Sequence, residues 1–411
     1  MQTLENIADL DLTKVAELGN ELLAKLNKVR EVTPIAWSES AAAWVITRHE
    51  DVKLAYSGEL PLSNVRFDRC FDAIPESERA KRIPLILETV PLWIVNVDPP
   101  QHTRLRKLLM RAFSKKVAES VRPFARATID RVLEGAAKQR EVEFVNDVAR
   151  AITGRVIMKI LGIPEENISR LEKWSESLNA GFGVRPTPEM LDETEKSIAE
   201  MGELFDIEID QRRRHPTGDF ISEMVMARDG KDQLTDDEIK AVCYVTLIAG
   251  HDTTMNSLGL GLVALSKDSA ARRYLLEEPD HLANAIIELA RYSAMSTMQP
   301  RIVSEDFDWH GQRLHKGESV FLMLAGANRD PREFTNPEVI DMTRATDNVL
   351  VFGSGIHHCV GHMLAKMQLG EFFPEFLRRF TNFEILDEEL QFQVALSQRG
   401  LAKLNVRLYP A

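Results

Sequence analysis

Between short Pro and Gly interruptions, apolar residues recur along most of the chain at intervals of three and four, the spacing of helices with one buried face. The longest such stretch is LTDDEIKAVCYVTLIAGHDTTMNSLGLGLVALSKD. Thr235 and Glu238 stand at capping-box spacing, and acids fill the first turn. The pattern predicts a helix from Asp236 to about Leu265, roughly 45 Å long at 1.5 Å per residue. It is apolar on most faces, so it belongs in the interior. Alternation with a period of two is confined to AAAWVITR near the N-terminus, to FDWHGQRLHKGESVFLML with turns at Gly311 and Gly317, and to AKLNVRLYP near the C-terminus. The expectation is a mainly α chain: a large helical body with small β-sheets attached. No repeat, low-complexity tract or linker interrupts it, so residues 1–411 read as a single domain.

Composition narrows the classes. At 411 residues, 44% apolar and 28% charged, the chain is long enough for one large core. Lys and Arg total 51 against 63 Asp and Glu, and the net charge of −12 argues against a nucleic-acid partner or a generally basic membrane-binding surface. The opening MQTLENIADLDLTK places Glu5, Asp9 and Asp11 where a signal peptide needs an apolar run. No stretch approaches the roughly 18 apolar residues of a membrane span. The chain reads as soluble and cytoplasmic. Cys70, Cys243 and Cys359 lie far apart, which rules out a CxxC zinc site or an iron–sulfur cluster built from this chain alone and argues against a disulfide framework.

One of those cysteines has a setting of its own. In VFGSGIHHCVG, Cys359 stands at or just before a helix expected over Val360 to Arg379, where unpaired N–H groups and the helix dipole favour thiolate. A thiolate there can be a nucleophile or a metal ligand. Gly353, Gly355 and Gly361 suit a tight loop whose backbone approaches something closely, and Phe352 can pack beneath it.

FGSGIHHCVG resembles the haem-binding loop of the cytochrome P-450 superfamily, F-x-x-G-x-[HR]-x-C-x-G, at every fixed position. The resemblance implies the cytochrome P-450 fold, with a long central helix over the haem, and Cys359 as the thiolate ligand of haem iron. AGHDTT in the long helix, Ala249 to Thr254, is similar to the family's A-G-x-[DE]-T stretch over the distal haem face. There Gly250 permits close approach and the Thr253 hydroxyl can bond back to the Ala249 carbonyl, loosening the helix. Asp252 and Thr253 supply an acid and an alcohol for proton relay. Glu288 and Arg291 in IIELARYS sit at i,i+3, a spacing that ESER (Glu76 to Arg79) shares and that means little alone. The run that follows resembles the family up to the haem loop, and Arg344 matches the residue that completes the Glu–Arg pair.

Haem propionates need cations, and His102, Arg106, Arg301 and His357 match the family's set, His102 and Arg106 being four apart on one helical face. His358 is left unassigned. The match runs from PIAW to RGLAKLNVRL; TDNVLVFG lacks the usual His-Leu pair, and the N-terminal helix lacks a Pro-Tyr motif.

The resemblance implies a monooxygenase that carries non-covalent haem b (iron protoporphyrin IX), consumes O2 and draws electrons from a separate ferredoxin and ferredoxin reductase, since the chain has no further redox centre. By family position the substrate pocket draws on Leu92, Trp93, Ile94, Leu247, Ile248, Ala249, Ser296, Thr297, Met298, Ala395 and Leu396, which suits an apolar small molecule. Arg104, Lys107 and Arg111 share the other face of the His102 helix and are expected to form a basic patch for the ferredoxin. A peroxide-driven peroxygenase or a non-catalytic haem protein would have no use for Asp252 and Thr253. A cysteine hydrolase lacks an evident Asp or Asn to orient its His.

Overall fold

The computed structural model describes residues 3–183, 186–393, 395 and 397–411, with residues 68 and 69 by backbone alone. The chain is mainly helical, and it falls into two compact units that alternate along the sequence. The first comprises Met1–Ser63, Ile129–Ala151 and Thr253–Ala411; the second comprises Asn64–Thr128 and Ile152–Asp252. Helices used below are α1 (His49–Ser57), α2 (Gln101–Leu109), α3 (Lys115–Gln139), α4 (Ala151–Leu161), α5 (Ile168–Gly181), α6 (Pro188–Arg214), α7 (Asp236–Ser266), α8 (Leu282–Ser293) and α9 (His362–Arg379). Two of the unit boundaries fall inside α3 and α7.

The first unit holds the sheets. Strands β1 (Ile35–Ser38), β2 (Ala43–Ile46), β3 (Leu62–Ser63), β5 (Gln299–Val303) and β8 (Ser319–Leu322) form one sheet in the order β1-β2-β8-β5-β3, antiparallel except for β2 against β8. β4 (Glu141–Glu143), β9 (Phe380–Ile385) and β10 (Asn405–Pro410) make a three-stranded sheet, and β6 (Phe307–Trp309) and β7 (Gln312–Leu314) a hairpin. The period-two pattern explains how β2 serves two cores. Ala43 and Val45 enter one cluster with Leu26, Val29 and Phe321, whereas Trp44 and Ile46 enter another with Val52, Val320 and Leu322. Gly311 and Gly317 occupy the turns at φ +74° and +87°.

The expected long helix is α7, of 31 residues, and the reason it starts at Asp236 is visible. The Thr235 N–H donates to Glu238 Oε2 at 2.9 Å, and the Glu238 N–H donates to Thr235 Oγ1 at 3.2 Å, a closed capping box. In the second unit α5 and α6 lie against each other, joined by Trp174 Nε1 to Glu200 at 2.9 Å and by Thr194 Oγ1 to the Ser177 carbonyl at 2.8 Å. Among the described residues no helix is long and apolar enough to cross a membrane.

Candidate functional site

The Cys359 loop is built by its backbone. Helix α9 begins at His362 with Gly361 as its N-cap, so Cys359 stands just ahead of its first turn. The Cys359 N–H donates to the Phe352 carbonyl at 2.9 Å, the His358 N–H to Gly355 at 3.1 Å and the Gly353 N–H to Leu350 at 3.0 Å. Gly353 and Gly355 have φ of +67° and +61°. A Cβ at Gly355 would come 2.3 Å from the Tyr56 carbonyl oxygen at the end of α1, so only glycine fits. The Phe352 ring lies 6.3 Å from His358 and 6.1 Å from His362, whose rings are 4.8 Å apart. His362 Nδ1 also reaches the Cys359 carbonyl at 2.9 Å. Sequence reasoning passed over His362; its spacing of three from Cys359, in the first helical turn, was the available signal. The three thiols differ sharply. Cys359 is half-buried, Cys70 faces the Gly183 carbonyl at 3.8 Å, and Cys243 is fully buried, which pushes its thiol up and keeps it protonated.

Helix α7 is enclosed on most sides, but Val245, Ile248, Ala249, Asp252 and Thr253 remain accessible, spaced as one helical face. Leu247, His251 and Thr254 beside them are buried. The helix continues through Ala249 to Thr254 as one element. Ser257 makes a back-bond within it, donating to the Thr253 carbonyl at 2.7 Å. Gly250 does permit a close approach. A Cβ there would lie 2.7 Å from Ile157 Cδ1, so the close approach it permits is that of α4. The Asp252 carboxylate is anchored: Oδ2 accepts from Ser175 Oγ at 2.9 Å and from Asn179 Nδ2, both on α5. Its Oδ1 lies 3.8 Å from His251 Nε2, and His251 Nδ1 lies 3.0 Å from Thr153 Oγ1 on α4. Ser175, Asn179 and Thr153 were not among the sequence candidates, since nothing local connects them to Asp252.

His102 is 1% exposed in α2, which excludes a solvated surface histidine. Burial, with the Arg106 charge one turn away, pushes its pKa below the usual imidazole range. Arg301 on β5 is buried, donates to the Pro300 carbonyl at 2.8 Å and lies 4.9 Å over the Tyr56 ring. His357 is half-buried in the short turn before Cys359.

The expected basic patch on α2 is not a free one. Arg104 donates to both Asp232 oxygens at 2.8 and 2.9 Å and to Glu238 at 2.5 and 3.3 Å, while Lys107 lies 2.6 Å from Asp229. Two of the three cations on this face are thus paired with carboxylates of the segment Asp229–Glu238. Of the trio, Lys107 and Arg111 are exposed. Spacing identified a helical face but not the acidic segment that folds against it.

Glu288 and Arg291 on α8 are fully buried and form a two-point pair at 2.7 and 2.9 Å. Arg344 joins them at 3.2 Å from Glu288 Oε1, and the Asp341 N–H donates to the same oxygen at 3.0 Å. In ESER the same spacing does something else, for Arg79 pairs with Asp72 at 3.0 Å near the surface.

Of the pocket residues, Ser296, Thr297 and Met298 adjoin the segment containing Ala395: Ser296 bridges Gln398, and the Thr297 N–H donates to the Ser397 carbonyl at 3.1 Å. Leu396 lies outside the described residues. Trp93 and Ile94 are buried and Leu92 half-buried. Trp93 packs in an aromatic trio, 4.6 Å from Phe182 and 5.8 Å from Phe67. Leu247 is buried, and Ile248 and Ala249 lie on the accessible stripe of α7.

The Cys359 loop, shaped by Gly353 and Gly355, and the accessible stripe of α7 are the elements on which the resemblance to haem-thiolate proteins rests. Comparison with known proteins agrees: the family model for cytochrome P450 matches residues 92–393. The chain is 34% identical over 309 residues to the "Biotin biosynthesis cytochrome P450" of Bacillus subtilis (strain 168), covering 75% of this chain and 78% of that one. It is 31% identical over 396 residues to the "Mycinamicin IV hydroxylase/epoxidase" of Micromonospora griseorubida, covering 94% and 96%. Among solved structures it resembles P450BioI in complex with an acyl carrier protein ligated to hexadec-9Z-enoic acid, with a TM-score of 0.86 and 29% identity over 96% of this chain and 99% of that chain. The chain belongs to the cytochrome P450 family and is an oxidoreductase of the monooxygenase class that uses haem and O2.

The donor set fits that cofactor. Among the described residues no group of three or more His, Cys, Asp or Glu could hold a metal ion. A porphyrin supplies four ligands itself, so one thiolate suffices. The buried guanidinium of Arg301 suits a carboxylate.

Proposed function

We propose that this protein holds haem b non-covalently, with Cys359 as the thiolate that would hold its iron, and inserts one atom of O2 into a small-to-medium apolar substrate, using electrons from a ferredoxin and its reductase. The observation that carries the reading is the accessible stripe of α7, which joins Asp252 and Thr253 to apolar Val245, Ile248 and Ala249 on one face. When bound, the haem supplies the oxygen-activating chemistry. The residues of the chain do the rest. His102, Arg106, Arg301 and His357 would pair with its carboxylates, while Phe352, Gly353, Gly355 and Gly361 shape the loop that would aim the sulfur. Asp252 and Thr253 supply an acid and an alcohol for proton relay. Glu288, Arg291 and Arg344 fix the segment that leads into the loop. Leu92, Ile94, Leu247, Ile248, Met298 and Ala395 offer apolar surface, and Ser296 and Thr297 offer hydroxyls. Because the two units alternate along the chain, we treat residues 1–411 as one haem domain. Dependence on separate electron-transfer proteins supports the reading of a cytoplasmic protein.

Isotopically labelled O2, supplied with ferredoxin, reductase and a panel of apolar compounds, tests the reading. One labelled oxygen should appear in product, and compounds that convert the haem from low to high spin should be the ones oxidised. Oxidation that proceeds only with added peroxide would identify a peroxygenase instead.

A further inference from the structure

The geometry points to Ser175 and Asn179 as positioning residues that decide which oxygen of Asp252 carries its proton. The inference rests on the reading of Asp252 as proton donor and concerns only α4, α5 and α7. Ser175 Oγ and Asn179 Nδ2 both donate to Oδ2. An oxygen that already accepts two hydrogen bonds is the poorer site for a proton, because protonating it would set its own O–H against two donors. The proton is therefore held on Oδ1, the oxygen turned towards His251 Nε2.

The clamp is built to hold that choice. Ser175 is 1% exposed and one turn before Asn179, so both donors come from one face of α5. Asn179 Nδ2 donates a second time, to the Ser175 carbonyl at 3.0 Å, which fixes the amide with its nitrogen towards Asp252. On the other side His251 is fully buried and its Nδ1 is held by Thr153, which fixes the ring that Oδ1 faces. Loss of the donors would leave Asp252 in place on α7 but free its carboxyl to turn and carry the proton on either oxygen.

Asn179 is exposed, so it can be changed with little risk to folding. Asn179→Asp has the same shape but replaces the donor with an acceptor, and a proton shared between the two carboxyls would move to Oδ2. In the reconstituted holoenzyme this variant should lose product per electron towards the level of Asp252→Asn and show a larger solvent deuterium isotope effect on turnover. Its substrate-induced spin shift should match wild type, and Asn179→Gln, which keeps an amide donor, should recover most of the coupling. Hydrogen exchange gives a readout independent of turnover: Ser175→Ala, Asn179→Asp and Asp252→Asn should each speed exchange of amides 175–181. Asn179→Asp with wild-type coupling and isotope effect, beside an uncoupled Asp252→Asn, would overturn the inference and leave the proton-donor reading standing. Wild-type coupling in Asp252→Asn would remove both.

Discussion

Gly355 shows how much of this protein's chemistry is decided by single backbone positions. Its φ of +61° and the 2.3 Å that would separate a Cβ from the Tyr56 carbonyl leave no room for any other residue. Gly355→Ala should cost about 1–2 kcal/mol for the left-handed conformation, with the clash in addition, and should lower haem retention after purification. Haem content and melting temperature equal to wild type would show that the loop tolerates rearrangement. The glycines were legible in the sequence because their pattern is local. The environment of His102 was not, since a histidine in a helix carries no mark of burial until the rest of the chain covers it. Ser175 and Asn179 were equally invisible, being 77 and 73 residues from Asp252.

At the scale of elements, the start of α7 carries two loads at once. Glu238 closes the capping box and also receives Arg104 from α2. Thr235→Ala should destabilise by about 1 kcal/mol, the usual worth of a cap, as read from the midpoint of denaturant unfolding. Arg104→Glu should cost more, because it would set a third carboxylate against Asp232 and Glu238 where their counter-charge stood. If Arg104→Glu instead left stability untouched and slowed electron transfer from ferredoxin, Arg104 would be a docking residue after all. The boundaries of α7 were readable because capping chemistry and acidic first turns are written within four residues. Which elements would pack on α2 was not, because the acids that meet it lie more than 120 positions along the chain.

The whole molecule should lose stability in acid, and Asp330 is one reason. It is buried with its oxygens accepting from the His49 N–H at 3.0 Å and from the Arg332 N–H and guanidinium, each at 3.1 Å. Burial pushes its pKa up, but those hydrogen bonds and the nearby Arg30 charge outweigh burial and hold it below the ordinary carboxylate value. A depressed pKa contributes stability that is fully present above the unfolded-state value, about 3.9, and is lost as pH falls through the folded-state value. Asp330→Asn should therefore be less stable than wild type near neutrality, and the gap should narrow as pH drops below about 4. A gap independent of pH would mean that Asp330 contributes shape rather than charge.

The central claim is that Cys359 binds haem iron as a thiolate, and the spectrum of the reduced protein with carbon monoxide tests it most directly. The wild-type protein should show the strongly red-shifted Soret band of thiolate ligation, and Cys359→His should retain haem but lose that band. A Cys359→His protein that kept the red-shifted band, or a haem-loaded wild type that never showed it, would contradict the assignment.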